Sequence, residues 1–311
     1  AGGAESAGDA SAASREFAEY EREFRRYTAE NLRSQQPAED FISEHREAGP
    51  ALREKLERLE SLWRGARRVV VFTGAGVSTA AGLPDYRGPQ GVWTRRLRGE
   101  AAEEDLGLEA PRPAPTRTHG ALARLQAAGL LAHVATTNVD GLHGRAGLPR
   151  EALSELHGNS FVEECAACGR RFERGFVVRT ARGLFEHATG RLCEDCGGPL
   201  RDIVVNFGNT AEHVPSMEAE HDRAWVECLK ADLLVVLGSS LSVPTACELP
   251  EECLPPRDGK PEGGRLVIVN LQRTPKDGLA ALRVFATCDE VLPPLAERLL
   301  AGSASTEARG S

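Results

Sequence analysis

Nothing in the 311 residues approaches the run of about 18 apolar side chains that a membrane-crossing helix needs, and no secretory apolar segment opens the chain. No membrane partner is expected. An excess of positive charge is also missing. Lys and Arg number 38 against 46 Asp and Glu, a net charge of −8, so the chain lacks a whole-molecule electrostatic footprint for nucleic acid. The first residue is Ala rather than Met, and a fragment or a processed start is expected. Eight cysteines in a chain of this length without a signal segment do not suggest a disulfide framework. They point to a reducing compartment, cytosol or nucleus.

What is present is a globular composition, 41% hydrophobic and 27% charged, enough for one large domain and a small insert. Residues 1–65 read as an N-terminal extension: a small-residue, disordered start, then a helix over 14–33 with Phe17, Tyr20, Phe24 and Tyr27 at helical spacing, then a second over 51–64 with Leu52, Leu56, Leu59 and Trp63 as its packing stripe. From residue 66 the pattern changes. Short apolar runs at 69–72, 130–135, 233–237 and 266–269 suit strands buried on both faces of a parallel sheet. Helical stretches such as 119–128 and 218–230 separate them, which predicts an α/β, doubly wound fold. A segment at about 160–200 interrupts the alternation as an inserted module, and 301–311 reads as a disordered tail.

That insert holds Cys165, Cys168, Cys193 and Cys196 as two CxxC pairs with 24 residues between them. Four thiolates at this spacing fill a tetrahedral zinc site and leave no open position, so one structural zinc is expected rather than a catalytic one. Redox pairs are the competing reading. Gly169 and Gly197 directly follow the second cysteine of each pair and favour the metal knuckle.

The run at 69–72 ends in Thr73-Gly74-Ala75-Gly76-Val77-Ser78. Glycines after a strand let backbone approach a phosphate, although a plain turn has the same look. The acidic residue of an ordinary dehydrogenase, about 20 positions on, is missing. A turn-rich loop, 82–88, stands there with Arg87 placed to reach a pyrophosphate.

Taken together, GAGVSTAAGLPDYRGPQGVWT (74–94), TTNVDGLHGRAGL (136–148), LHGN (156–159), the cysteine pairs, GSSLSV (238–243) and VNLQRTPKD (269–277) occur in the order found in sirtuins. From about 66 to 300 the chain resembles these NAD-dependent protein deacylases, most of all the branch holding sirtuin 6 and sirtuin 7 and nearer to the latter. The resemblance implies a Rossmann-type domain with an inserted zinc domain and NAD bound between them. On that pattern Gly74, Ala75, Gly76 and Ser78 line the phosphates and ribose, and Asp85 and Arg87 sit on a covering loop. Asn138 and Asp140 face the nicotinamide end. Gly238, Ser239 and Ser240 take the phosphate side, Asn270 and Gln272 the adenosine ribose side, and Cys288 with Asp289 the adenine.

His157 matches the general base that activates a ribose hydroxyl, a role suited to an imidazole titrating near working pH. The products would be nicotinamide, O-acyl-ADP-ribose and free lysine. Val205 and Phe207 would line the acyl-lysine tunnel on a substrate-pairing strand, 204–208. The resemblance also implies acyl-lysine proteins, histones among them, as substrates, with nuclear residence and chromatin association. Cytoplasmic residence is not excluded by the sequence.

Two positions depart from the family pattern: Thr137 stands for a glutamine and Asn209 for a glutamate. No Tyr occurs among residues 87–311, so a Tyr–Arg grip on a succinyl carboxylate is absent. Two other functions compete: mono-ADP-ribosyl transfer, and a weakly catalytic NAD-binding chromatin scaffold. Arg95, Arg96, Arg98, Arg170 and Arg171 are the candidate nucleic-acid contacts.

Overall fold

The computed structural model describes residues 42–98, 112–179, 185–206, 209, 211–243, 245–256 and 263–307. The helix expected over 14–33 and Phe207 lie outside them. The chain divides into two compact units: His157–Glu218, and a larger one combining Pro37–Leu156 with Ala219–Ser311.

The larger unit is built on six strands: β1 (Val69–Thr73), β2 (His133–Thr136), β3 (Leu153–Glu155), and, after the insert, β8 (Leu233–Leu237), β9 (Arg265–Val269) and β10 (Leu282–Val284). All neighbours are parallel, in the order β10-β9-β8-β1-β2-β3. Every residue of β1 and β8 is buried. Their side chains alternate between two cores, as a period of two requires. Val69, Val71, Leu233, Val235 and Leu237 join the core that includes Leu59 and Trp63 of helix α1 (Gly49–Gly65), Leu122 and Leu125 of a helix at Arg117–Ala127, and Leu295 of a C-terminal helix at Cys288–Glu307. Val70, Phe72, Leu234 and Val236 pack with Ala224 and Cys228 of a helix at Ser216–Lys230. In chain order the helices after α1 are α2 (Val92–Leu97), α3 (Arg117–Ala127), α4 (Leu142–Arg145), α5 (Ser216–Lys230) and α6 (Cys288–Glu307).

Three boundaries differ from expectation. Helix α1 is part of the sheet unit, not of a separate extension: its Trp63 Nε1 donates to the Leu130 carbonyl at 2.9 Å and its apolar stripe is core. Strand β2 starts at His133, not 130, because Gly129 takes φ 70° and the Leu130 N–H closes α3 on the Leu125 carbonyl. Helix α6 runs to Glu307, into the segment expected as disordered. Once a helix is nucleated and packed, adding residues costs only propagation.

The smaller unit is an antiparallel sheet of β4 (Val162–Cys165), β5 (Arg171–Glu173), β6 (Ala188–Leu192) and β7 (Pro199–Asp202), in the order β5-β4-β7-β6. With so few apolar residues to bury, ion pairs and cysteines take over its centre. Burial opposes ionisation of Glu163, yet hydrogen bonds from Thr189, Arg174 and Arg191 hold its carboxyl below the usual range. Arg174 Nε reaches it at 2.8 Å and Arg191 Nε at 2.5 Å.

Candidate functional site

Strands β1 and β8 stand at the point where strand order reverses, the place where doubly wound sheets bind ligands beyond their C-terminal ends. Both strands end in glycine loops that are laced together. The Gly74 N–H donates to the Leu237 carbonyl at 3.1 Å and the Gly76 N–H to the Gly238 carbonyl at 2.9 Å. A Cβ on Gly74 would lie 2.7 Å from Ser239 Cα, and one on Gly76 would lie 2.7 Å from Gly238 Cα. Ala75 opens a single 3₁₀ turn, Ala75–Val77, that aims the loop into Ser78. Leu241 adopts φ 51°, an uncommon left-handed conformation for a non-glycine residue, and its N–H is held by Ser239 Oγ at 3.2 Å. Ser240 presents its carbonyl to Ser242 Oγ.

Beside these loops lies a buried polar cluster. Ser78 Oγ donates to Asp140 Oδ2 at 2.7 Å, and Asn138 Nδ2 donates to the Gly74 carbonyl at 3.1 Å and to Ser78 Oγ at 3.2 Å. Asp140 Oδ1 accepts from the Leu142 N–H at 2.9 Å. Thr137 is tied to the end of β1 through both its N–H and Oγ1 on the Thr73 carbonyl. Asp85 Oδ1 accepts from the Gly88 N–H at 3.0 Å and so closes its own loop; burial raises its carboxyl above the usual range and lowers Arg87 below its own.

Beyond β9, Asn270 Nδ2 donates to the Gln272 carbonyl at 3.0 Å. Burial pushes the Cys288 thiol up to about 12, which leaves it a packing group at the head of α6. The Asp289 carboxylate is spent on α3, accepting from the Thr118 N–H and Oγ1. Two glycine loops at a topological switch, with buried amide, hydroxyl and carboxylate groups beside them, fit a dinucleotide.

In the smaller unit His157 is half-buried, and its carbonyl accepts from the Val205 N–H at 2.9 Å. Gly158 has φ 78°, and a Cβ there would sit 1.7 Å from the Ile203 carbonyl oxygen. Residues 204–206 form no strand with the chain's own sheets. Asn209 Oδ1 accepts from the Asn206 N–H at 2.6 Å, and the Asn209 N–H returns to the Asn206 carbonyl. The departure at 209 thus supplies a side chain that closes a turn.

Cys165, Cys168, Cys193 and Cys196 converge, with all four sulfurs within 4.8 Å of one another. Cys165–Cys196 is 3.5 Å and Cys168–Cys193 is 3.8 Å, against the roughly 3.8 Å edge of a tetrahedron with Zn–S bonds of about 2.3 Å. Each pair is closed by a glycine in the left-handed region: the Gly169 N–H donates to the Cys165 carbonyl and the Gly197 N–H to the Cys193 carbonyl. The Cys168 N–H on its sulfur leads in lowering the Cys165 thiol to about 6, while, against the Gly198 N–H, hydrogen bonds among the four sulfurs push Cys196 up to about 12. The donor set fits one structural zinc.

The sequence patterns did not single out Thr73, Thr116, His119, His143 or Arg283. Arg283 pins the 270–272 turn, donating to the Asn270 carbonyl at 2.9 Å and to that of Gln272. Its only signal was a charge between two buried strand residues, Leu282 and Val284. Arg170 and Arg171 are paired with Asp195 and Glu164, and Arg98 holds the Pro89 carbonyl. Among the described residues no helix is long and apolar enough to cross a membrane.

The family model "Sir2 family" matches residues 106–245. The chain is 44% identical over 247 residues to NAD-dependent protein deacetylase SRT1 of Arabidopsis thaliana, covering 79% of this chain and 49% of that protein. To NAD-dependent protein deacetylase sirtuin-7 of Bos taurus it is 44% identical, covering 80% and 60%. To NAD-dependent protein deacetylase Sirt6 of Drosophila melanogaster it is 36% identical, covering 79% and 75%. The chain thus spans about half to three-fifths of the length of the first two relatives. A solved Sir2 complex with a p53 peptide and NAD+ is 31% identical, with a TM-score of 0.56 over 80% of this chain and 98% of that one. The chain belongs to the Sir2 family, the sirtuins, and to the branch that contains sirtuin 6 and sirtuin 7.

Proposed function

We propose that this protein is an NAD-dependent protein lysine deacylase that releases nicotinamide, O-acyl-ADP-ribose and free lysine. The observation that carries the reading is the Ser78–Asp140–Asn138 cluster beside two interlocked glycine loops at the sheet's switch point. NAD, when bound, supplies an anomeric carbon from which nicotinamide leaves. Gly74, Ala75, Gly76, Ser78, Gly238, Ser239 and Ser240 hold its phosphates and ribose, Asp85 and Arg87 cover it, and Asn270, Gln272 and Cys288 frame the adenosine. Asn138 and Asp140 orient the nicotinamide amide. His157 takes the proton of a ribose hydroxyl. Val205 lines the channel for the lysine stem, and the backbone at 204–206, outside the chain's own sheets, offers main-chain pairing to a peptide. The zinc ion, held by Cys165, Cys168, Cys193 and Cys196, keeps the smaller unit folded and touches no substrate.

The substrates we favour are acetylated histone tails and other nuclear proteins, with nuclear residence. Incubation with NAD and an acetylated histone-tail peptide should yield O-acetyl-ADP-ribose. His157→Tyr should lower the rate by about 100-fold or more. Product formed equally by that variant, or ADP-ribose transferred to protein with no deacylation, would overturn the reading.

A further inference from the structure

Under the cofactor cluster lies a pair of buried histidines to which no role has been given. His143, on the four-residue helix α4, reaches the last residue of β1, with Nε2 3.1 Å from Thr73 Oγ1. His119 of α3 packs edge-on against it, ring centroids 4.6 Å apart at 75°. The Thr116 N–H and Oγ1 both lie against His119 Nδ1, at 3.2 and 2.8 Å. His119 Nε2 is buried and has no hydrogen-bond partner among the described residues. Thr116 Oγ1 in turn donates to the Val77 carbonyl at 2.9 Å, binding the start of α3 to the glycine loop.

We infer that His119 and His143 are positioning residues that set the orientation of Asp140 and Asn138 toward the nicotinamide end of NAD. Asp140 is aimed by two donors, Ser78 Oγ and the Leu142 N–H. The second belongs to α4, a helix too short to hold itself in place. The His143–Thr73 bond fixes α4 to the strand end from which Gly74 receives the Asn138 amide. His119 is the wall that keeps the His143 ring in that rotamer.

Burial holds both rings neutral down to about 3, with Asp140 and Asp289 the charged groups facing His119. The hydrogen-bond pattern around Asp140 therefore stays fixed while a general base elsewhere gains and loses protons. A metal ion suits His119, Asp140 and His143 less well, since both Asp140 oxygens and His143 Nε2 are already engaged with protein partners.

The inference rests on the assignment of Asp140 to nicotinamide, and the test separates the two. Calorimetry on the full chain compares NAD with ADP-ribose, which lacks nicotinamide. Thr73→Val and His143→Leu should each weaken NAD binding about fivefold or more and leave ADP-ribose within about twofold. His143→Gln, which can still bond Thr73 Oγ1, should recover most of the NAD affinity. Unchanged NAD affinity in Thr73→Val overturns the inference, whether or not His143→Leu folds. Equal losses for both ligands also overturn it, because they mark general loosening. Failure of the wild-type chain to bind NAD would instead overturn the proposed function, and this inference with it.

Discussion

Glycine separates function from tolerance in this chain more sharply than any other residue. Gly76 has no conformational need for glycine, but a Cβ there would meet Gly238 Cα at 2.7 Å, backbone against backbone, with no flexible side chain to yield. Gly76→Ala must push the two nucleotide loops apart, and kcat/KM for NAD should fall about 100-fold while zinc content stays at one per chain. Gly120 is the contrast. It lies inside α3 with nothing within 4 Å of a built Cβ, so Gly120→Ala should raise the urea midpoint, by about 0.5–1 kcal/mol of stability. An intact NAD response in Gly76→Ala would mean that the loops are not closely apposed. Features set by short-range pattern were legible in the sequence: the glycine loops and the cysteine pairs. Those that act across the fold were not. Thr73, His143 and Arg283 meet their partners only after β1, α4 and the 270–272 turn are brought together.

At the scale of elements, the two units are stabilised by different physics, and they should come apart separately. The sheet unit buries two continuous apolar cores, each fully buried Val or Leu contributing about 1.5–3 kcal/mol. Among the described residues of the His157–Glu218 unit the apolar clusters are small, one of Val162, Ile203 and Val214 and one of Cys165, Cys193 and Leu200. Its remaining order comes from the metal and from Glu163 and Glu164 with their arginines. A unit this small needs such a staple. All three tryptophans, Trp63, Trp93 and Trp225, fall within the residue ranges of the sheet unit, and Trp63 is buried in its core, so tryptophan emission follows that unit. A strong zinc chelator should abolish deacylation and open 157–218 to proteolysis, yet leave the tryptophan urea midpoint within experimental error. Activity retained after verified loss of zinc would contradict a structural role. Strands β1, β2, β8 and β9 were readable from apolar runs, whereas β3 and β10, three residues each, carry no run long enough to mark them. The outer limits of the units were not, because α1, read as an extension, is held by the Trp63–Leu130 contact 67 residues away.

The molecule as a whole carries an acid sensitivity that originates in the sheet unit. His119, His133 and His143 are all buried there, and desolvation lowers the first and third to about 3 and His133 to about 4. His133 is satisfied as a neutral ring by Ser154 Oγ at 2.9 Å. In the unfolded chain each imidazole titrates at about 6.5. Above that pH the folded and unfolded states bind equal protons at these sites and no slope arises. Below it the unfolded state takes up protons that the native state refuses, so stability falls as pH falls. The loss approaches about 1.4 kcal/mol per pH unit for each histidine, roughly 4 for the three, and continues toward the native values. Depressed carboxylates such as Glu227 and Glu290 add their losses only as pH passes down through the usual carboxylate range. Between pH 6.5 and 5 the histidines therefore dominate. Urea midpoints followed by tryptophan emission should be flat from pH 8 to 7 and drop steeply from 6 to 5. His133→Gln keeps a neutral polar group opposite Ser154 and removes one titrating site away from the nucleotide loops; because burial also depresses His221, its slope between pH 6 and 5 should be about one-quarter to one-third shallower than wild type. An identical slope in that variant would show that His133 is protonated in the native protein, and that its burial on β2 beside Ser154 of β3 does not exclude the charge.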